Sequence, residues 1–401
     1  MADLRVGLLT REYPPEVYGG AGVHVEYLSR ALTQYVDVEV HCFGAPRSDP
    51  LVAATYEPWD ELRGDDRHLA ALRYFSVDLA IVKGVAGVDI VHSHTWYANL
   101  AGHWSKLAYD IPHVLSTHSL EPLRPWKREQ LGGGYDLSGY AERTAIVGAD
   151  AVIAVSHQMR EDVLTSYPEV DATKVVVIPN GIDTEEYTPD QNTDVLERLG
   201  VDLSRPVVTF VGRITRQKGF THLLDAARHL VPEAQLLLLA GAADTAQLQQ
   251  EVTEKVTQLR ASRDGVWWVA QHLPRPQVIQ ILSHTTAFVC PSIYEPFGLV
   301  NVEAMACEAA VVGAAVGGIP EIIIEGETGH LVAFPAGGDA YGSPADPHEY
   351  ALDLATAIND LCSDPQRASE WGRRGRQRVL REFAWTRIAD RTAQLYRSLV
   401  A

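Results

Sequence analysis

Cysteine is scarce in this chain. There are four in 401 residues (Cys42, Cys290, Cys307 and Cys362), and none stands in a Cys-x-x-Cys spacing. That argues strongly against a disulfide-stapled scaffold and a cysteine-built zinc site, and leads to the expectation of reduced thiols in or near the cores of a cytosolic protein. Positive charge is short as well: 34 Lys and Arg against 52 Asp and Glu, a formal net charge of −18 with an isoelectric point near 5.2. A partner such as nucleic acid or an anionic membrane would call for a basic patch or tail, so neither is expected. A small basic pocket remains compatible with that balance. No apolar run approaches the length of a bilayer span. The apolar stretch near the start, Arg5-Val-Gly-Leu-Leu-Thr10, is short and lacks a small-residue cleavage site, so no secretory signal is expected. Short-period repeats are also missing.

What is present is a 46% hydrophobic fraction and a length that predicts two or three domains. Leu4–Leu9 reads as a strand, followed by the loop Thr10–Gly22 and a helix with Val25, Leu28, Ala31 and Leu32 on one face. Gly20-Ala-Gly22 has no third glycine, so the dinucleotide fingerprint fails, and this loop is either a phosphate site or a plain tight turn. Further strands are expected at 36–42, 89–94, 112–117, 151–155 and 174–178, with 45–67 irregular around Pro46, Pro50 and Pro58. The polar stretch 184–205 is the expected boundary. Val207–Val211 then restarts the strand, glycine loop, helix pattern. Two halves that each open this way predict two doubly wound α/β domains with a cleft between them. The expected division is 1–185 and 206–384, with the last amphipathic helix at 385–401.

Chemistry concentrates at predicted strand ends, where open α/β sheets bind ligands. Arg213 and Lys218 follow Val207–Val211, placed to hold a diphosphate; their plain alternative is solvated charge. Glu295 follows the run Thr286–Cys290 and precedes Pro296-Phe297-Gly298-Leu299, a helix start whose backbone amides attract anions. Glu303 is then about one turn into that helix, at ~1.5 Å rise per residue. Cations with two carboxylates suit a ligand that has an anionic middle and hydroxylated ends. His118 stands at the end of the strand 112–117. His92 and His94 share one strand face; a metal pair is conceivable there, but hydrogen-bonded structural histidines are the expectation. The long loop 119–138 is basic and aromatic, and its length favours function over a solvated charged surface.

The combination Pro-Ser-x-Tyr-Glu295-Pro-Phe-Gly-Leu-x-x-x-Glu303-Ala-Met-Ala, Gly212-Arg213-x4-Lys218-Gly219, Pro179-Asn-Gly-Ile-Asp183 and Gly19-Gly20 resembles the retaining glycosyltransferases of family 4 and the related starch and glycogen synthases. The likeness covers essentially the whole chain. Thr10-Arg-Glu-Tyr-Pro-Pro-Glu-Val-Tyr-Gly-Gly-Ala-Gly-Val-His and His118-Ser-Leu-Glu-Pro-Leu-Arg-Pro-Trp-Lys resemble, more narrowly, the actinobacterial enzymes called glycogen synthase or α-maltose-1-phosphate synthase, which use ADP-glucose. The resemblance implies a GT-B fold, two Rossmann-like domains with the last helix crossing back onto the first. It implies that Arg213 and Lys218 hold the donor diphosphate and stabilise the leaving group. Glu295, with amides around Phe297, Gly298 and Leu299, binds the transferred glucose; Glu303 takes the ribose; His118 contacts the glucose 6-hydroxyl; Gly19 and Gly20 let the first domain close on the phosphates. No metal, other cofactor, protein general base or covalent nucleophile is implied, because the two cations carry the leaving-group charge. A homodimer is compatible with the family.

Two departures concern the acceptor. Starch and glycogen synthases carry Lys-Thr-Gly-Gly where this chain has Val17-Tyr18-Gly19-Gly20, and an Asp where it has Thr95. Both put a polyglucan acceptor in doubt and favour glucose 1-phosphate. Arg124, Lys127, Arg128 and Arg143 are then the candidate phosphate ligands, and Tyr135 a candidate to stack on the acceptor sugar. Two other classes compete. An NAD-dependent oxidoreductase is weakened by the missing third glycine. A non-catalytic sugar-binding protein is weakened by the intact set Arg213, Lys218, Glu295 and His118.

Overall fold

The computed structural model describes residues 4–64, 67–124, 127–128, 132–338 and 342–401. The chain divides into two compact units, Met1–Gly181 with Trp385–Ala401, and Ile182–Ala384. The first holds a seven-stranded sheet: β1 Arg5–Thr10, β2 Asp37–Phe43, β3 Val52–Tyr56, β4 Ile90–His94, β5 His113–Thr117, β6 Ala151–Ala154 and β7 Val175–Val177. Its order is β3-β2-β1-β4-β5-β6-β7. The second holds β8 Val207–Val211, β9 Gln235–Leu239, β10 Val266–Val269, β11 Ala287–Cys290, β12 Ala310–Ala314 and β13 Gly329–Val332, in the order β10-β9-β8-β11-β12-β13. The strand pairings are parallel. Both orders are doubly wound and reverse at one point, between β1 and β4 in the first sheet and between β8 and β11 in the second. Ligands of open α/β sheets bind at that reversal, outside the carboxyl ends of the strands.

Helices on both faces explain the apolar strands. In β9 every residue is buried, so alternation cannot set its register. Gln235 does: its side chain accepts from Asp202 N at 2.9 Å and donates to Asp202 O at 2.7 Å, and a one-residue slip would strand both amide groups in the core. The four cysteines are buried and free.

The helix Trp385–Val400 belongs to the first unit and packs on the helix Gly20–Leu32. Trp385, Ile388, Ala389, Ala393 and Tyr396 share a core with Val25, Leu28 and Leu32. Polar ties fix its placement: Tyr396 Oη lies 2.6 Å from His92 Nδ1, and Arg391 donates to the Val177 carbonyl at 2.6 Å.

The structure differs from expectation in two places. The stretch 45–67 contains β3, an edge strand whose half-buried side chains give no clear apolar pattern, bounded by prolines rather than broken by them. The stretch 184–205 contains the helix Asp194–Leu199, with Val195 and Leu196 buried in a core shared with Val207 and Leu237. It is therefore part of the second unit, and the division falls at Gly181/Ile182. Among the described residues no helix is long and apolar enough to cross a membrane.

Candidate active site

In the second unit the loops following β8 and β11 are stitched together at the sheet reversal. Thr215 Oγ1 accepts from Lys218 N at 3.2 Å and so caps the turn Arg216–Lys218. Gly219 follows at φ +63°, and a Cβ there would sit 1.9 Å from the Pro291 carbonyl oxygen, so only glycine lets the two loops approach this closely. Ile293 N donates to Gln217 O at 2.9 Å, and Gln217 Nε2 to Tyr294 O at 3.0 Å. The result is an ion pair: Lys218 Nζ lies 2.6 Å from Glu295 Oε2, which also accepts from Ser292 Oγ at 3.1 Å. Burial, the largest influence, would lower the Lys218 pKa, but the Glu295 charge, the neighbouring Cys290 and the Glu295 hydrogen bond together outweigh it and the net shift is upward, while the nearby Arg213 charge pulls the other way. Lys218 is thus a cation held by one carboxylate, with the Arg213 charge near enough to act on it.

Glu295 is held from behind. Gly317, at φ +54°, packs so tightly that a Cβ would lie 1.9 Å from the Glu295 carbonyl oxygen, which accepts from Gly318 N at 2.9 Å. Gly298 caps the helix Leu299–Ala306. The Phe297 side chain is core, edge-on to Phe383 at 5.8 Å, so only its backbone is suited to a ligand. Glu303 lies one turn into that helix and accepts from Tyr187 Oη at 3.2 Å. Burial raises the Glu303 pKa, and the Tyr187 hydrogen bond opposes the shift. Arg213, Lys218, Glu295, Phe297, Gly298, Leu299 and Glu303 are therefore gathered around the ends of two adjacent strands.

In the first unit His118 follows β5, partly exposed, with Nε2 3.2 Å from His94 Nδ1 at the end of β4. His24, on the helix Gly20–Leu32, stands edge-on to His118 at 4.6 Å, and its Nδ1 lies 2.7 Å from Asn180 Oδ1. Burial holds all three imidazoles neutral, His24 near a pKa of about 4. Their ring nitrogens lie within 4.8 Å of one another, the spacing from which a transition-metal ion could draw imidazole ligands. His92 is hydrogen-bonded on both nitrogens, to Tyr396 and to Ser116 Oγ at 2.8 Å, as a structural histidine is. Gly19 precedes the helix in ordinary extended backbone, and Gly20 is its first residue. Glu12 Oε2 accepts from both Tyr18 N and Gly19 N at 2.9 Å, so a carboxylate of this chain already occupies that helix mouth.

The proposed acceptor residues separate into two sets. Arg124 and Lys127 both face the buried Glu121 carboxylate, which also accepts from Ser138 Oγ at 2.8 Å, while Tyr135 Oη donates to the Glu121 carbonyl at 2.6 Å. Arg128 and Arg143 do not join them. Arg128 pairs with Asp136 at 2.6 Å and covers the Tyr135 ring at 5.0 Å; Arg143 pairs with Glu169; both are exposed guanidinium groups spent on surface carboxylates. Tyr135 is thereby covered on one face by a cation.

Behind Glu121 sits Glu142, which accepts from Glu121 N at 2.8 Å and from Tyr167 Oη at 2.5 Å. Burial, and then the Glu121 charge, push its pKa up to about 7. Folding therefore favours its protonated form. Between the unfolded carboxyl value of about 4.3 and pH 7 the unfolded chain releases this proton first, so stability falls as pH rises, by about 4 kcal/mol in total. Glu142→Gln is expected to flatten that slope: melting temperatures at pH 5 and pH 8 should lie closer together than in the parent protein. An unchanged difference would show that Glu142 is not the group responsible.

Sequence reasoning passed over Glu12, Glu121, Tyr187 and His24. Tyr187 and His24 gain their roles from neighbours distant in sequence, and Glu12, Glu121 and His24 lay in quoted motifs whose residue types gave no sign of these contacts.

Comparison with known proteins agrees with this geometry. Residues 18–186 match the family model Glycosyltransferase Family 4, and 192–378 match Glycosyl transferases group 1. The chain is 53% identical over 401 residues, 99% of its length and 100% of the relative's, to an α-maltose-1-phosphate synthase of Mycolicibacterium smegmatis. It is 28% identical to a glycogen synthase of Mycobacterium tuberculosis, across 98% of this chain and 94% of that one. Among solved structures, the sucrose-phosphate synthase of Thermosynechococcus elongatus superposes with a TM-score of 0.79 at 27% identity, covering 99% of each chain. Two parallel Rossmann-like sheets and full-length similarity at this level together place the chain in the glycosyltransferase family of the α-maltose-1-phosphate synthases, with the GT-B fold.

Proposed function

We propose that the chain transfers glucose from ADP-glucose to glucose 1-phosphate with retention of configuration, releasing ADP and α-maltose 1-phosphate. The observation that carries this reading is the full-length similarity to the α-maltose-1-phosphate synthases. The geometry supports the donor half of it. The bond from glucose C1 to the β-phosphate oxygen breaks, C1 bonds to the acceptor O4, and the O4 proton passes to the departing phosphate. Charge grows on that phosphate as the bond breaks, so fixed cations stabilise the transition state more than the ground state. Arg213 and Lys218 are assigned this role, Glu295 and the amides at 297–299 the transferred glucose, Glu303 the ribose, and His118 a glucose hydroxyl. An ammonium has three N–H donors, so Lys218 can take a phosphate oxygen while keeping Glu295. The reading assigns no metal to the reaction, the two side chains carrying the charge, and places the enzyme in the cytoplasm.

Purified protein offered ADP-glucose or UDP-glucose with glucose 1-phosphate or glycogen, with the product identified by NMR, tests this directly. A disaccharide phosphate formed fastest from ADP-glucose is expected. Exclusive lengthening of glycogen would overturn the acceptor and favour a glucan synthase.

A further inference from the structure

We infer that Arg11 and Arg124 form the anion-binding part of the acceptor site and take the phosphate of a sugar 1-phosphate. The inference rests on the acceptor reading above and adds Arg11, a residue outside the proposed acceptor set, while leaving out Arg128 and Arg143.

Topology comes first. Arg11 follows β1, Tyr97 lies in the first turn of the helix Trp96–Tyr109 that follows β4, and Arg124 lies in the loop following β5. These strands are consecutive in the sheet, β1-β4-β5, so β1 and β5 are about 10 Å apart at ~4.8 Å per strand spacing. That span is within reach of two arginine side chains directed at one phosphate.

The side chains are set up for it. The Arg11 guanidinium lies over the Tyr97 ring at 4.3 Å and beside the Tyr74 ring at 4.9 Å, and the two rings meet edge-on at 4.7 Å. Stacking fixes the plane of a guanidinium and leaves its N–H donors pointing outward in that plane, the geometry that recognises phosphate. Among the described residues no carboxylate pairs with Arg11. Arg124 is anchored by Glu121 through one terminal nitrogen, while its Nε is buried with no acceptor. A buried donor without an acceptor is costly, and a phosphate oxygen is the kind of group that would satisfy it. The charges of Arg11, Arg124 and Glu121 all act on the Tyr97 hydroxyl, so the three lie within electrostatic range of one ring. Arg11, Arg124 and Lys127 against Glu121 leave a surplus of positive charge in a chain whose net charge is −18, a local inversion suited to a sugar phosphate dianion. Glu121, whose carboxylate also accepts from Ser138 and whose carbonyl accepts from the Tyr135 hydroxyl, acts as a positioning residue for the clamp.

The test uses the full-length chain and the variants Arg11→Gln and Arg11→Lys. With ADP-glucose saturating, Arg11→Gln is expected to raise KM for glucose 1-phosphate about 10- to 100-fold, the loss of charge-assisted hydrogen bonds to phosphate. KM for ADP-glucose should stay within about twofold, on the same scale. Arg11→Lys, which keeps the charge but loses the planar fork, should fall between. Circular dichroism and ADP binding by calorimetry establish that both variants are folded with the donor site intact. An unchanged KM for glucose 1-phosphate in Arg11→Gln would overturn the clamp while leaving the glucosyltransferase reading standing. If the parent protein does not use glucose 1-phosphate at all, the functional reading fails, and calorimetry with inorganic phosphate decides the clamp by itself. Phosphate binding that Arg11→Gln abolishes would support it; binding equal in parent and variant, or absent from both, would overturn it.

Discussion

Lys218→Ala is expected to lower kcat/KM for ADP-glucose by roughly 10³- to 10⁴-fold, about 4–5.5 kcal/mol of transition-state stabilisation. The figure follows from what the side chain does at the sheet reversal. Its ammonium stands 2.6 Å from Glu295, in a loop that Gly219 holds against Pro291, so its position is fixed before any ligand arrives. A donor that needs no reorganisation stabilises developing charge more effectively than water does. Because that charge develops as the glucose–phosphate bond breaks, kcat should fall much further than KM rises. Arg213 remains in the variant and can still bind ground-state diphosphate, so ADP should continue to bind, more weakly. The fold should persist with a lowered melting temperature, since Glu295 loses its cation but keeps the Ser292 hydrogen bond at 3.1 Å. Initial-rate kinetics with melting curves check this. A kcat within tenfold of the parent's would remove Lys218 from the mechanism.

The parts of this picture that were legible in the sequence share a physical cause. Strands buried on both faces must be apolar along their whole length, so runs such as Val207–Val211 and Ala287–Cys290 announce themselves, and their carboxyl ends locate Arg213, Lys218 and Glu295. β3 was not legible because it is an edge strand, half-exposed and framed by prolines. The helix Asp194–Leu199 hid in a polar stretch because its burial depends on two residues, Val195 and Leu196, against an otherwise solvated sequence. Partners were the hardest to read. Tyr187 reaches Glu303 across 116 positions and Tyr167 reaches Glu142 across 25. Residue type does not tell one surface arginine from another: Arg143 and Arg128 answer to Glu169 and Asp136, while Arg124 answers to a buried glutamate. Arg11 sits in a quoted motif, yet its stacking on Tyr97 is a property of the β1-β4-β5 order and not of local spacing.

Glu295→Gln separates charge from shape at the same locus. The amide keeps the side chain's size and an oxygen able to accept from Ser292, but it removes the negative charge that holds the Lys218 pKa up against its burial. With that charge gone, desolvation dominates and the lysine pKa drops below its ordinary value. Two consequences follow, with opposite pH trends. Catalysis should fall by roughly 10²- to 10³-fold at neutral pH, and the alkaline limb of kcat should move to lower pH, because the ammonium proposed to hold the leaving group would be lost earlier as pH rises. Stability should behave the other way. In the parent protein the folded lysine pKa is raised, so its contribution is full below the unfolded lysine value and disappears only as pH climbs through the folded one. In the variant the folded pKa is depressed, so the buried ammonium destabilises the fold at neutral pH and that cost is relieved as pH rises. Melting temperature measured from pH 7 to pH 10 should therefore rise relative to the parent's while activity declines. If Glu295 acts only as a sugar ligand, Glu295→Gln will lower kcat without moving either the alkaline limb or the pH dependence of melting. Divergence of the two profiles would thus be the signature of an ion pair that sets the protonation of the cation proposed to act in catalysis.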